Sequence, residues 1–294
     1  MQLLAKTEKI DFIADSLGKA ILFEVCTHPK PGLVTRFSKG AHCDMNVFTF
    51  MSSSVVLIRA FKEFANYGYE YDDSLSKLLP QLRELGIEYE KQILTATGNI
   101  NTQRGILFAG GVLAAATGNY LREHQQVNSN EVFSRIRLIC KGLVERELET
   151  CEKTKFTAGE LLYKKYGITG IRGEVQEGFK SVKNKGLPAL KEALANGANI
   201  NNSLVHTLLS LLTVTEDSNI LWRTDKQILD KVQKQATKAL ELGSIFSQSG
   251  QDYIEFLERD FIKQRISPGG TADLLSITLA MYLMENRDAK IKMF

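Results

Sequence analysis

The chain has 294 residues, 44% of them apolar, with 37 Lys plus Arg against 34 Asp plus Glu, a net charge of +3. That is enough apolar matter for a sizeable core in one large domain or two closely packed ones. So weak an imbalance argues against a nucleic-acid-binding stripe, yet leaves room for a local basic cluster that holds a phosphorylated small molecule.

The opening Met-Gln-Leu-Leu-Ala-Lys carries no signal-peptide pattern. Ile10, Ile13, Ala14, Leu17, Ile21, Leu22 and Val25 then recur at helical spacing over residues 8–25. From Cys26 to Met45 the regular pattern breaks at Pro29, Pro31, Gly32 and Gly40, and this loop carries Lys30, Arg36, Lys39, His42 and Asp44. A constrained loop so rich in chemically capable side chains is a site candidate. A mostly apolar segment over 47–64 predicts a second long helix. Asp72, Asp73 and Ser74 offer caps for a short helix from Leu75 to Leu85, which Gly86 should stop.

The polar run Thr95–Gly105 contains Asn101, Thr102, Gln103 and Arg104 and opens onto an apolar stretch from Gly105 to Gly118. That stretch is too short to span a bilayer and reads as a buried helix, with Asn101 or Thr102 as its cap. Its glycines imply close helix packing or ligand approach. Residues 119–130 read as a surface loop, Glu131–Glu149 as an amphipathic helix, and Thr157–Tyr166 as a short one. Gly167–Glu174 is a second glycine-rich polar insertion, in which Arg172 suits phosphate and Glu174 a sugar hydroxyl or a magnesium ion.

Residues 187–195, Asn199–Thr215, Asp225–Phe246, Gln251–Ile262 and Ala272–Met284 complete the helical series. His206, Ser210, Thr213 and Asp217 fall at steps of four, three and four, and predict one polar stripe on a buried helix. Such groups need partners, either in a structural network or along a ligand wall. Ser267-Pro268-Gly269-Gly270 leads to Thr271 as a cap of the last helix, where backbone N–H groups could hold phosphate and Asp273 sits favourably in the first turn. The run is not a Walker A loop, because it lacks the Gly-Lys-Ser/Thr ending. No alternating strand series and no linker-like composition intervene. The expected fold is therefore all-α, a compact multi-helix single domain over residues 1–294 with long polar active-site loops. Cys26, Cys43, Cys140 and Cys151 form no close pair and read as reduced thiols of a cytoplasmic protein.

Taken in order, these motifs resemble the triphosphoribosyl-dephospho-coenzyme A synthase family, which makes the citrate-lyase prosthetic-group precursor and has a relative in malonate decarboxylase maturation. The resemblance rests on Pro29-Lys30-Pro31-Gly32-Leu33-Val34 with Arg36, on Gly40-Ala41-His42 with Asp44-Met45, and on Asn101-Thr102. It continues through Gly167-Ile168-Thr169-Gly170 with Arg172-Gly173-Glu174, His206-Thr207-Leu208-Leu209 with Glu216-Asp217-Ser218-Asn219, and Ile266-Ser267-Pro268-Gly269-Gly270 with Ala272-Asp273-Leu274-Leu275. Cys43, Asn46, Gln103-Arg104 and Arg265 depart from the family pattern, where a lysine, an acidic residue, a His-Lys pair and an asparagine are expected.

The resemblance implies transfer of the triphosphoribosyl group of ATP to 3′-dephospho-coenzyme A with release of adenine. Under it, Lys30, Arg36, Arg104 and Arg172 are expected to clamp the triphosphate, with Thr102, Gln103, Ser267, Gly269 and Gly270 also binding. Asp44, Glu174, Asp217 and Asp273 are the expected ligands of a Mg²⁺ carried as Mg-ATP. Glu174 is the leading base for the acceptor hydroxyl, with Asp44 the alternative, and His42 or His206 would protonate adenine. The expected partners are the two substrates and a downstream carrier-protein transferase, with no nucleic acid and no membrane; a homodimer is left open. Two other classes compete. An ADP-ribosyl or nucleoside hydrolase would use water and need no coenzyme A pocket; a non-catalytic carrier-protein partner would bind neither substrate.

Overall fold

The computed structural model describes residues 5–149, 156–288 and 290–293; Cys151 lies outside the described residues. Among those residues there are thirteen α-helices and no strand. They are α1 (Lys6–Cys26), α2 (Val47–Glu70), α3 (Leu78–Ala96), α4 (Arg104–Leu121), α5 (Ser129–Ile139), α6 (Ala158–Tyr166) and α7 (Gly170–Gln176). The series continues with α8 (Leu187–Ala195), α9 (Ile200–Leu212), α10 (Ser218–Arg223), α11 (Lys226–Glu241), α12 (Gln248–Gln264) and α13 (Gly269–Glu285). The all-α, single-domain expectation holds: one continuous apolar core runs from Ile10 in α1 to Met284 in α13.

Helix α1 buries Ile10, Ile13, Ala14, Leu17, Ile21 and Val25, the face its spacing predicts. It packs on α2 and α13, and α2 packs most extensively on α4. The α2–α4 contact is close because small residues let the backbones meet. A β-carbon at Gly68 would stand 2.0 Å from the Ala115 carbonyl oxygen, and one at Gly118 2.1 Å from that of Ala65. Helix α4 is buried almost all round, as its apolar sequence requires, and α13 lies against α1, α4 and α9. Amphipathic α11 covers α9 from outside, and α12 packs on α11.

Several boundaries differ from the sequence expectation. Gly86 does not stop a helix: α3 runs on to Ala96 and ends at Gly98 and Asn99, both with positive φ. A glycine costs a helix interior only about 1 kcal/mol, which the buried Leu78, Leu82, Tyr89 and Ile93 outweigh. Gln103, not Asn101 or Thr102, occupies the N-cap of α4. The segment 131–149 is broken after Ile139, turns at Gly142 (φ +70°), and resumes as one π-helical turn, Glu145–Glu149. Gly167–Glu174 is mostly helix α7 rather than an open loop. The stripe drawn from His206 to Asp217 is not continuous: α9 ends at Leu212, and Asp217 caps the next helix.

The loop after α1 folds back on itself through the Ala41 N–H to Gly32 carbonyl and Thr35 N–H to Ser38 carbonyl bonds. Gly32 has φ +73°, and its missing β-carbon would fall 2.0 Å from the Ile266 carbonyl oxygen. Only glycine permits both conditions, and the loop is thereby held against the segment that leads into α13.

Candidate active site

The first turns of α4, α6, α7, α10 and α13 open into one cleft of about 840 Å³, lined at those turns by Arg104 and Gly105, Ala158 and Gly159, Gly170 and Ile171, Ser218 and Asn219, and Gly269 and Gly270. Each start has a local cause. Thr157 and Glu160 form a capping box at α6. Asp217 accepts from the Asn219 and Ile220 N–H groups at α10 (2.9 and 3.2 Å). These caps already hold N–H groups of α6 and α10, so the cleft's attraction for an anion comes chiefly from its side chains.

Arg83, Arg104, Arg172, Lys180 and Lys185 add full positive charges to its wall. Arg172 donates from Nε to Glu147 at 2.8 Å, and Arg83 Nη2 stands 2.5 Å from the same carboxylate. Two guanidinium groups sharing one carboxylate leave positive charge for a ligand to neutralise. Arg104 pairs with Glu90 at 2.9 Å. Glu174, on the same cleft, accepts the Ser181 N–H at 3.2 Å and the Ser181 hydroxyl. Burial pushes its carboxyl above the usual range, so the proton is held to a higher pH than on a free glutamate.

A second, smaller chamber of about 120 Å³ meets the cleft at Asn101, Thr102, Asn219, Gly269 and Asp273, which line both. Its walls include apolar Leu33, Val34, Phe50 and Ile106, and polar His42, Gln103, Arg223 and Ser267. Asp273 stands at the junction. Burial, together with the Glu24 and Asp217 carboxylates, holds its carboxyl well above the usual range, while the Ile106 backbone N–H draws it down. A β-carbon at Gly105 would lie 1.9 Å from Asp273 Oδ2, so α4 begins with a glycine where this carboxylate is received.

His42 bridges two elements: Nε2 lies 2.8 Å from Ser267 Oγ and Nδ1 lies 3.2 Å from Arg223 Nη2. A guanidinium can only donate, so Nδ1 accepts and the ring hydrogen is on Nε2. Burial and the Arg223 charge accordingly keep His42 below the usual histidine range.

The structure brings Thr102, Arg104, Arg172, Glu174, Gly269, Gly270 and Asp273 to the cleft, and His42, Gln103 and Ser267 to the chamber. Gln103 accepts the Ser53 hydroxyl, which fixes its amide. Lys30, Arg36, Asp44, Asp217 and His206 line neither cavity. Lys30 is 1% exposed and its ammonium is paired with buried Glu24. Arg36 donates to the Cys26 carbonyl at 3.0 Å and lies over the Phe37 ring. Asp44 is exposed, 3.8 Å from His42 Nδ1. His206 Nδ1 is 2.9 Å from Ser244 Oγ, and its ring abuts Phe246.

Asp217 is fully enclosed. Besides capping α10 it accepts the Thr271 N–H and hydroxyl (2.7 and 2.8 Å), tying α10 to α13. Thr271 therefore does not cap α13, whose N-cap is Pro268. Sequence reasoning missed Arg83, Lys180, Lys185, Asn219 and Arg223 as lining groups. Asn219 follows the capping Asp217 inside a quoted motif, which was a usable signal. Arg223, at the end of six-residue α10, offered none.

Among the described residues, no three His, Cys, Asp or Glu side chains gather as a metal cage. A Mg²⁺ bound with phosphates needs only one or two protein carboxylates. Asp273, a hard oxygen donor crowded by two further carboxylates, fits that requirement, because a cation there would offset the like-charge repulsion.

Comparison with known proteins gives one consistent result. The family described as ATP:dephospho-CoA triphosphoribosyl transferase matches residues 10–292. A Malonomonas rubra protein named "Probable 2-(5''-triphosphoribosyl)-3'-dephosphocoenzyme-A synthase" is 38% identical over 283 residues, covering 95% of this chain and 90% of its own. The 2-(5''-triphosphoribosyl)-3'-dephosphocoenzyme-A synthases of Pectobacterium atrosepticum and Klebsiella pneumoniae are 36% and 31% identical, over 92% and 90% of this chain and 88% of each of theirs.

Proposed function

The chain belongs to the ATP:dephospho-CoA triphosphoribosyl transferase family, and from that premise we propose how its cleft performs the reaction. The enzyme transfers the triphosphoribosyl group of ATP to 3′-dephospho-coenzyme A, releases adenine, and forms the precursor of the citrate-lyase prosthetic group. The triphosphate is retained in the product, so the protein must hold it without cleaving it. The observation that carries this assignment is the gathering of Arg83, Arg104, Arg172, Lys180 and Lys185 around one cleft with the Gly269–Gly270 turn.

Arg172 and Arg83 bind phosphate oxygens from one wall, and the Gly269–Gly270 start of α13 approaches from another. A Mg²⁺ carried with ATP, held by Asp273 at the junction, would neutralise phosphate charge when bound. Glu174 accepts the proton of the acceptor's 2′-hydroxyl. Ser181 holds that carboxylate in place, and its raised pKa makes it a stronger base than a surface glutamate. His206, outside both cavities, has no part in the proton transfers. No helix among the described residues is long and apolar enough to cross a membrane.

The test is incubation of the purified full chain with ATP, Mg²⁺ and 3′-dephospho-coenzyme A. Stoichiometric adenine and an adduct that retains all three phosphates are expected. Release of ribose triphosphate without an adduct would overturn transfer in favour of hydrolysis.

A further inference from the structure

The inner chamber has a feature the reaction so far described does not use. Ser267 is 2% exposed, and its hydroxyl oxygen receives the His42 Nε2–H, because the Arg223 guanidinium forces Nδ1 to be the acceptor. The hydroxyl hydrogen of Ser267 is then free to turn elsewhere, and among the described residues it has no acceptor. Ser267 lines the 120 Å³ chamber together with apolar Val34, Phe50 and Ile106 and the carboxylates of Glu24 and Asp273. A buried hydroxyl hydrogen without an acceptor, in a chamber of mixed polar and apolar lining with room for one heterocycle, calls for a ligand with a ring-nitrogen acceptor.

We infer that this chamber seats the departing adenine of ATP, with the Ser267 hydroxyl donating a hydrogen bond to a purine nitrogen and Arg223 as the positioning residue that sets the direction of the His42–Ser267 bond. The inference rests on the proposed function and assigns one subsite within it. A nucleotide laid base-inward through the junction puts its ribose beside Asp273 and Asn219 and its triphosphate in the basic cleft. The acceptor then approaches from the cleft, where Glu174 lies, on the side of C1′ opposite the base. As the C1′–N9 bond breaks, its electron pair leaves with the purine, against the Ser267 donor. C1′ bonds to the acceptor's O2′, whose proton passes to Glu174. The purine takes a proton from water, and Glu174 returns its own to solvent, so one proton moves in sum from acceptor to adenine.

The experiment compares ATP with its 3-deaza and 7-deaza analogues as donors, for the wild-type chain and for Ser267→Ala, Arg223→Met and Arg223→Lys. Ser267→Ala should lower kcat with ATP roughly 100-fold, and this penalty should vanish with the one analogue that lacks the contacted nitrogen. Arg223→Met should reproduce that pattern and Arg223→Lys, which keeps a donor, should restore turnover. An equal Ser267→Ala penalty with all three donors, or none, overturns the assignment of the base. An Arg223→Met variant that loses stability through the Ala41 carbonyl contact without changing the ratio among donors overturns the role of Arg223. Adenine binding to the wild-type chain supplies a measurement that no folding defect can spoil. Competition by ATP is expected, and competition by dephospho-coenzyme A alone would give the chamber to the acceptor's base instead. A wild-type chain that forms no adduct with ATP would refute the reaction itself, an outcome separate from all of these.

Discussion

Gly105 and Asp273 are in contact across the α4–α13 junction: a β-carbon on the first would stand 1.9 Å from Oδ2 of the second. The Ile106 backbone N–H, one residue further along α4, draws the Asp273 carboxyl down against the burial that raises it. Helix packing and site geometry therefore meet in one place. Gly105→Ala should displace Asp273 by an ångström or so. It should lower kcat on the order of 100-fold at a stability cost of about 1–3 kcal/mol. Turnover beside a thermal melt checks this; wild-type turnover would mean that the position of Asp273 is immaterial.

Glu174 must be ionised to accept a proton, and burial raises its pKa. The rate should therefore climb with pH through that raised value and level off above it. Glu174→Gln should cost roughly 10²–10⁴-fold in kcat and flatten this limb of the pH profile. A folded Gln variant with the wild-type profile would remove Glu174 from the proton transfer.

Two cations that the sequence grouped together should behave oppositely. Arg172 lines the cleft, and losing its charged hydrogen bonds, worth about 1.5–3 kcal/mol, should raise KM for ATP about 10–100-fold in Arg172→Met. Lys30 faces buried Glu24, and Lys30→Met would strand that carboxylate at about 3–5 kcal/mol. Its folded fraction should lose less ATP affinity than Arg172→Met, because Lys30 reaches the ligand only through Glu24, which lines the chamber. Calorimetric ATP titration alongside urea denaturation separates the two; a folded Lys30 variant that loses as much ATP affinity as Arg172→Met would contradict the placement.

Glu258 on α12 is 8% exposed, and neither carboxylate oxygen has a hydrogen-bond partner among the described residues. Burial pushes it up to about 7, against the opposing pull of Lys30. In the unfolded chain it loses its proton near 4.3, so between those values the native state binds more protons. Its contribution is thus fully present at acid pH and is lost as pH rises through about 7, by at most ~4 kcal/mol. Glu258→Gln should remove this slope and raise stability at pH 8. Urea midpoints from pH 4.5 to 8 test this, and an unchanged slope would contradict it.

The helices were legible because apolar spacing over long segments leaves little choice: α1, α2, α4 and α9 follow directly from it. Boundaries were less so. Gly86 was tolerated because α3 packs well on both sides of it, and packing is not written in a local pattern. In the site, Arg172, Glu174 and Asp273 were readable as polar residues at helix ends. Lys30 and His206 looked equivalent in one dimension, but each has a buried partner distant in the motif sense, Glu24 and Ser244. Arg223 became visible only when the fold brought it to His42, across 181 positions.

The most direct measurement is a crystal structure of the full chain with ATP and Mg²⁺ in the absence of the acceptor. The triphosphate is expected among Arg83, Arg172 and the Gly269–Gly270 turn, with adenine inside the chamber beside Ser267. A triphosphate bound instead at Arg36 and the exposed loop around Asp44, with the cleft empty, would contradict the account.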